Sequence, residues 1–249
     1  MKKVKKWIGS GIITVLIWAA GVTSIFIFHN SIPKELKLSS QIIELDTAKA
    51  ASTDSADAVK KIIEDSQKHV VTIQLDDGSL GSGFQYNEKG DVITNAHVVA
   101  NAKEVMVLTK DSREMGGQVI GVNPSRDIAL VRVKDLKGNE PLPVERKKKS
   151  AIGDEVLALG SPLGLQNTVT DGIISGVDRE VNIEQTYYKD AYQISAPIAP
   201  GNSGGPLVDK KTGKVIGINS AATDQGTIGF SIPIIAVLDE IDSWANQAE

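Results

Sequence analysis

Three histidines stand in the chain, at positions 29, 69 and 97, and they limit the chemistry available to it. None lies four residues from another, so no helical pair of imidazoles offers itself to a metal ion. The absence of cysteine removes thiolate nucleophiles, disulfides and cysteine metal sites together. His29 follows the first apolar segment, and His69 reads as a strand-entry residue ahead of Val70 to Leu75. His97 differs, because it follows Val92-Ile93-Thr94-Asn95-Ala96 and precedes Val98-Val99, where an apolar strand gives way to a turn. A second group is Gly201-Asn202-Ser203-Gly204-Gly205-Pro206. Small residues on both sides of one hydroxyl allow tight turns, close approach of a carbonyl and several N–H groups directed inward. A plain glycine-rich hairpin turn would use the same residues. The third is Asp127, a carboxylate just ahead of Ile128-Ala129-Leu130-Val131, where a simple turn or strand-edge acid reads equally well.

Any joint action of these residues needs a framework, and the hydrophobic pattern predicts a β-rich one. Val70 to Leu75, Gly83 to Tyr86, Asp91 to Thr94, Glu104 to Thr109, Gln118 to Asn123 and Ile128 to Val133 are short β-prone runs separated by turn signals such as Asp77-Gly78 and Lys89-Gly90. After Pro141, Pro143 and the basic run Arg146 to Lys149 comes a second set: Glu155 to Leu159, Gln166 to Ser175, Tyr192 to Ser195, Pro206 to Val208, Val215 to Asn219 and Gly229 to Ile232. No helical pattern separates the strands, which favours barrels or sandwiches over an α/β sheet. Ala58, Val59, Ile62 and Ile63 predict a short amphipathic helix from about Ser55 to Gln67, behind the caps Asp54 and Ser55. Ile235, Leu238, Ile241 and Trp244 predict an amphipathic helix at the end of the chain.

With 41% hydrophobic and 23% charged residues, the 249-residue chain is neither disordered throughout nor collagen-like, and it must bury a core. Its first 33 residues hold four lysines and no acid, so the remainder carries 23 basic against 31 acidic residues. That acidic body excludes binding to a phosphate backbone, and the run Arg146 to Lys149 reads as a solvated loop. Trp7 to Phe28 contains no charge, and its 22 residues would rise about 33 Å as a helix, enough to span a membrane. Bulky Trp18 beside Ala19 and Ala20 disfavours signal cleavage. Lys2, Lys3, Lys5 and Lys6 place the N-terminus inside. The expected organisation is a cytoplasmic tail (1–6), a transmembrane helix (7–28), a stalk (29–54) and an extracytoplasmic domain (55–249). Within that domain the first β unit covers about 68–145, the second about 150–233, and a terminal helix 234–246.

Thr94-Asn95-Ala96-His97-Val98-Val99, Asp127-Ile128-Ala129-Leu130 and Gly201-Asn202-Ser203-Gly204-Gly205-Pro206-Leu207 together resemble the three active-site blocks of HtrA-type, DegP-like serine proteases. Order and wording both agree, and the resemblance runs from about Val70 to Pro233. It implies an all-β, chymotrypsin-like fold of two perpendicular six-stranded barrels with a cleft between them. It further implies His97, Asp127 and Ser203 as a catalytic triad, the N–H groups of Gly201 and Ser203 as oxyanion hole, protein or peptide substrates, a homotrimer and no metal or organic cofactor.

The family commonly carries PDZ domains after the protease, whereas only Ile234 to Glu249 follows the last matching motif, so activation through such a domain is not expected. Ser195 and Ala199 also depart from the family's usual wording. Pro197, six residues before Ser203, stands where basic-specific relatives have Asp, and Asn219 where glutamate-specific ones have His. By resemblance the pocket is then apolar, walled by Ile198, Asn219, Ser220, Ala221, Thr227, Ile228 and Gly229, and suits a small aliphatic side chain. The leading expectation is a membrane-anchored endopeptidase for quality control of unfolded extracytoplasmic proteins. Two readings compete with it: an idle protease fold that holds extended peptides by strand addition, and a protease gated by loops such as 163–172 or 178–190.

Overall fold

Twelve strands form in the computed structural model, which describes residues 45–161, 168–183, 186–222 and 228–248. The first six are β1 (Val70–Gln74), β2 (Leu80–Gln85), β3 (Asp91–Thr94), β4 (Glu104–Leu108), β5 (Glu114–Asn123) and β6 (Ile128–Arg132). They pair antiparallel in the order β1-β2-β3-β6-β5-β4 and close on themselves through β4 and β1. The second six are β7 (Glu155–Gly160), β8 (Thr168–Ile183), β9 (Thr186–Ile194), β10 (Pro206–Asp209), β11 (Val215–Ala222) and β12 (Gly229–Pro233). Their order is β10-β11-β12-β9-β8-β7, closed through β7 and β10. All twelve overlap the runs read from the sequence.

Strands β1, β3, β6, β7 and β12 carry apolar residues at successive positions because both of their faces are buried, whereas β4 and β5 alternate and β8 is largely open. Successive side chains on a strand point to opposite sides. Val71 and Ile73 of β1 and Ala129 and Val131 of β6 fill the first barrel, while Val70, Ile128 and Leu130 face outward into a separate cluster. Val156 and Ala158 of β7 and Ile216 of β11 fill the second barrel, while Leu157, Leu159 and Ile218 join that same outer cluster. The outer cluster therefore lies between the barrels and draws on both.

Two helices cover it. Helix α1 (Leu45–Gln67) begins ten residues before the predicted start, so residues 45–54 of the expected stalk are helical. The alanine-rich stretch from Ala48 to Ala51 has the propensity to extend it. Residues 56–249 form one unit and residues 45–55 fall outside it. Within the unit, Val59, Ile62 and Ile63 of α1 pack on the shared cluster. A one-turn helix, α2 (Ala96–Val99), follows β3 and packs Val98 and Val99 into the first barrel instead. At the other end a 3-10 turn (Ile234–Ala236) precedes α3 (Leu238–Gln247), where a continuous helix from Ile234 was expected. Leu238, Ile241 and Ala245 are its buried stripe. Trp244 lies over Gly121, where any Cβ would collide with the indole. The basic run is not simply solvated: Arg146 pairs with Asp242 of α3 at 3.0 Å and sits 5.5 Å from the Tyr86 ring centre.

The largest departure from the sequence pattern is the β8–β9 hairpin. Asp178 to Asp190 was expected as loop, but β8 continues to Ile183 and β9 starts at Thr186. Charged residues broke the apolar alternation there, yet they pair with their surroundings: Arg179 Nε donates to Gln193 Oε1 at 3.0 Å, and Lys149 meets Asp178 at 2.8 Å. The hairpin is irregular, with register shifts between Ile174 and Val181.

The proposed membrane segment 7–28 lies outside the described residues. Among the described residues no helix is long and apolar enough to cross a membrane.

Candidate active site

Asp127 sits in the turn between β5 and β6 with φ +53°, a left-handed conformation that is uncommon for a residue with a side chain. Two features over-determine it. Asn95 Nδ2 donates to the Asp127 carbonyl at 2.7 Å, and the His97 backbone N–H donates to Asp127 Oδ1 at 3.1 Å. The carboxylate is thereby turned toward α2, where His97 Nδ1 lies 2.9 Å from both of its oxygens.

The pair is asymmetric in exposure: the His97 side chain is 45% exposed and that of Asp127 only 2%. Burial pushes the Asp127 carboxyl up, but the His97 ring, the Ser220 hydroxyl and the His97 N–H hold it below the usual carboxylate range. An ionised carboxylate only accepts hydrogen bonds, so Nδ1 carries the ring proton and the other nitrogen is left as a base.

Ser203 comes from the second barrel, on the loop before β10. Gly201 (φ +102°) and Gly204 (φ +86°) give this loop its turns. At Gly204 a Cβ would collide with the Ser82 carbonyl oxygen and the Thr94 hydroxyl, so only glycine fits. Ser82 clamps the loop from the first barrel: its N–H donates to Ser203 O at 2.8 Å, and its Oγ to Gly201 O at 2.6 Å. The N–H groups of Asn202, Gly204 and Gly205 are all engaged within the protein. Among the described residues those of Gly201 and Ser203 have no acceptor. Ser203 Oγ donates to the Ser220 carbonyl at 3.0 Å, and no hydrogen bond among the described residues joins it to His97.

The expected pocket residues divide. Ile198 is buried and packs against Gly229, where a Cβ would lie 2.6 Å from Ile198 Cγ1; Ile228 is half-buried. Pro197 is exposed, with its carbonyl accepting from Thr170 Oγ1 at 2.8 Å. Asn219 is fully buried, donating to Pro206 O at 3.0 Å and accepting from Ser231 Oγ at 3.1 Å. The Ser220 hydroxyl lies 2.6 Å from Asp127 Oδ2. Ala221 is part of β11, and Thr227 lies outside the described residues.

Ser82, Ser220 in this role, and Tyr188, whose hydroxyl is 3.0 Å from Asp127 Oδ2, escaped the sequence reading. The glycines on both sides of Ser82 were a usable sign of close backbone approach; nothing near Tyr188 was.

Two six-stranded barrels, with a buried aspartate and an exposed histidine from one and a glycine-rich serine loop from the other, define a trypsin-like peptidase fold. Residues 81–218 match the trypsin-like peptidase domain. The chain is 37% identical over 177 residues to the chloroplastic protease Do-like 1 of Arabidopsis thaliana, covering 68% of this chain and 40% of the relative. It is 40% identical over 172 residues to a DegP-like periplasmic serine endoprotease of Halomonas elongata, covering 68% and 35%. The HtrA-type protease AlgW with a bound tripeptide superposes with a TM-score of 0.66 at 36% identity, covering 76% of this chain and 62% of that one. The chain belongs to the trypsin-like peptidases, and the relatives and solved structure it resembles are DegP-like and HtrA-type proteases. It spans about two fifths or less of these curated relatives.

Proposed function

We propose that the chain is a serine endopeptidase in which Ser203 is the nucleophile, His97 its base and Asp127 the group that fixes the imidazole. The observation that carries this is the His97 Nδ1 to Asp127 contact of 2.9 Å to a buried carboxylate, beside a serine loop with two unengaged N–H groups. Ser203 Oγ would leave the Ser220 carbonyl and pass its proton to the free nitrogen of His97 while attacking the scissile carbonyl. The resulting imidazolium is stabilised by Asp127 and then protonates the leaving amine. The Gly201 and Ser203 N–H groups would receive the oxyanion, each worth about 2.7 to 4 kcal/mol in the transition state. Water repeats the sequence to release the acyl group.

The buried Ile198 against Gly229 supports cleavage after small aliphatic residues. The uncharged segment 7–28 and its preceding lysines support a single membrane anchor with the protease domain outside, acting on unfolded or exposed segments of extracytoplasmic proteins. Homotrimer formation belongs to the same reading and rests on the family alone.

Fluorophosphonate labelling of the full-length chain tests the chemistry. Labelling that disappears in both Ser203→Ala and His97→Ala supports it, and a folded wild type that takes no label rejects an assembled nucleophile. The Ser203 to Ser220 hydrogen bond favours a second reading, a protease gated by rotation of that hydroxyl. Immediate hydrolysis of casein without an activator would rule the gate out.

A further inference from the structure

The Asp127 carboxylate holds more than the histidine. Its Oδ2 meets Ser220 Oγ at 2.6 Å and Tyr188 OH at 3.0 Å, and those two hydroxyls are 3.0 Å apart. Three contacts join these groups, but two hydroxyls carry only two protons. Hydrogen bonds to an ionised acceptor are the stronger kind, so both protons point at the carboxylate and the hydroxyl-to-hydroxyl contact is left without one. Tyr188 is 6% exposed, and its phenol, held well above its ordinary range by burial and by the Asp127 charge, stays a donor.

Tyr188 reaches this position from the second barrel, on β9 opposite Val181 of β8. The hairpin bends to bring it there, with Asp178 and Asp190 at φ +50° and +61° and register shifts along β8. A cavity of about 370 Å³ flanks the tyrosine, lined also by Ile232, Ala236 and Val237. The ring packs in the apolar cluster between the barrels with this open space on one side, and its hydroxyl contacts add to that packing in fixing where it stands.

We infer that Tyr188 is a positioning residue: its hydroxyl, together with that of Ser220, holds the Asp127 carboxylate in the plane that orients His97, and so ties the site's competence to the docking of the β8–β9 hairpin. This rests on the triad reading above. The ionisable groups facing the assembly are His97 on α2 and, around the cavity, Arg126, Tyr187, Lys189 and Asp190.

The test is the inactivation of full-length wild type, Tyr188→Phe and Tyr187→Phe by a fluorophosphonate, measured as kinact and KI across pH. In Tyr188→Phe, kinact should fall roughly ten- to a hundredfold with KI within about twofold, since orientation is lost and binding is not. The acid limb of the kinact profile should move to higher pH, because a carboxylate with one donor fewer holds the protonated imidazole more firmly. Tyr187, 53% exposed, provides the control that changes neither. A Tyr188→Phe enzyme with unchanged kinact and pH profile overturns the inference while leaving the triad intact. A loss of kinact that only parallels a lowered melting temperature, with the acid limb unmoved, also overturns it. A folded wild type that never reacts overturns the triad reading and this inference together.

Discussion

Ser82 of the first barrel donates its hydroxyl to the carbonyl of Gly201 in the second at 2.6 Å, and the same oxygen accepts the Ser161 N–H at 2.9 Å. This one fully buried hydroxyl thus joins the serine loop to the end of β7. Ser82→Ala leaves a carbonyl and an N–H buried without a partner, at a cost of about 1–3 kcal/mol. Urea unfolding should show that loss, and kcat should drop more than KM rises, because the loop that carries the proposed oxyanion donors loses its clamp.

Asp127→Asn should be far more damaging to rate than to fold. An amide NH2 facing Nδ1 favours the ring tautomer that cannot take the serine proton, and the same change in the trypsin template lowers kcat on the order of 10⁴-fold. The depressed carboxyl of Asp127 adds stability above its ordinary value of 3.8, which is lost as pH falls through and below it. The asparagine variant should therefore show a flatter acid-denaturation curve, followed by fluorescence.

Gly204→Ala should be nearly inactive. Its left-handed φ and the Ser82 and Thr94 oxygens facing it leave no place for a methyl group, so the loop must shift, at a cost of about 2–4 kcal/mol. Differential scanning calorimetry and fluorophosphonate labelling would register the two effects separately. A fully labelled variant with an unchanged melting temperature would contradict the described loop geometry.

His69 supplies a second pH effect, remote from the site. Burial, aided by Lys68 and opposed by Glu140, lowers its proton affinity below the ordinary 6.5. The unfolded chain then binds the proton more readily, so stability is complete above 6.5 and declines as pH falls below it. His69→Gln should remove that decline from urea-unfolding curves taken between about pH 5 and pH 8.

Ile198→Ala should enlarge the space beside Gly229 and admit longer side chains before the cut. A peptide-library profile should shift from Ala and Val toward Leu by about tenfold, the scale of a few methylenes in an apolar pocket.

The strand framework was legible because strands such as β1, β3, β6, β7 and β12 are buried on both faces and keep their apolar residues; β3 matches its sequence run from Asp91 to Thr94 end to end. The β8–β9 hairpin was hidden for the opposite reason, since Asp178, Arg179 and Glu180 face solvent and leave no alternation to read. His97, Asp127 and Ser203 stood out through the wording around them. Ser220 and Tyr188 did not, because their meeting with Asp127 spans 93 and 61 residues of chain and exists only once the barrels are assembled. That the Asn219 side chain is fully buried was equally hidden, because motif position says nothing of which way a side chain turns on a strand.

The apolar cluster between the barrels has a consequence for how the molecule comes apart. Leu130 from one barrel and Leu157, Leu159 and Ile218 from the other are completely or almost completely buried in it. A nick in the exposed connection near Lys147 and Lys148 would leave the halves clasped together as a non-covalent pair. Separated, each half would present a wide oily face to water and carry only part of the proposed reaction centre. Assembly and competence are then a single event, with no half-working fragment along the way.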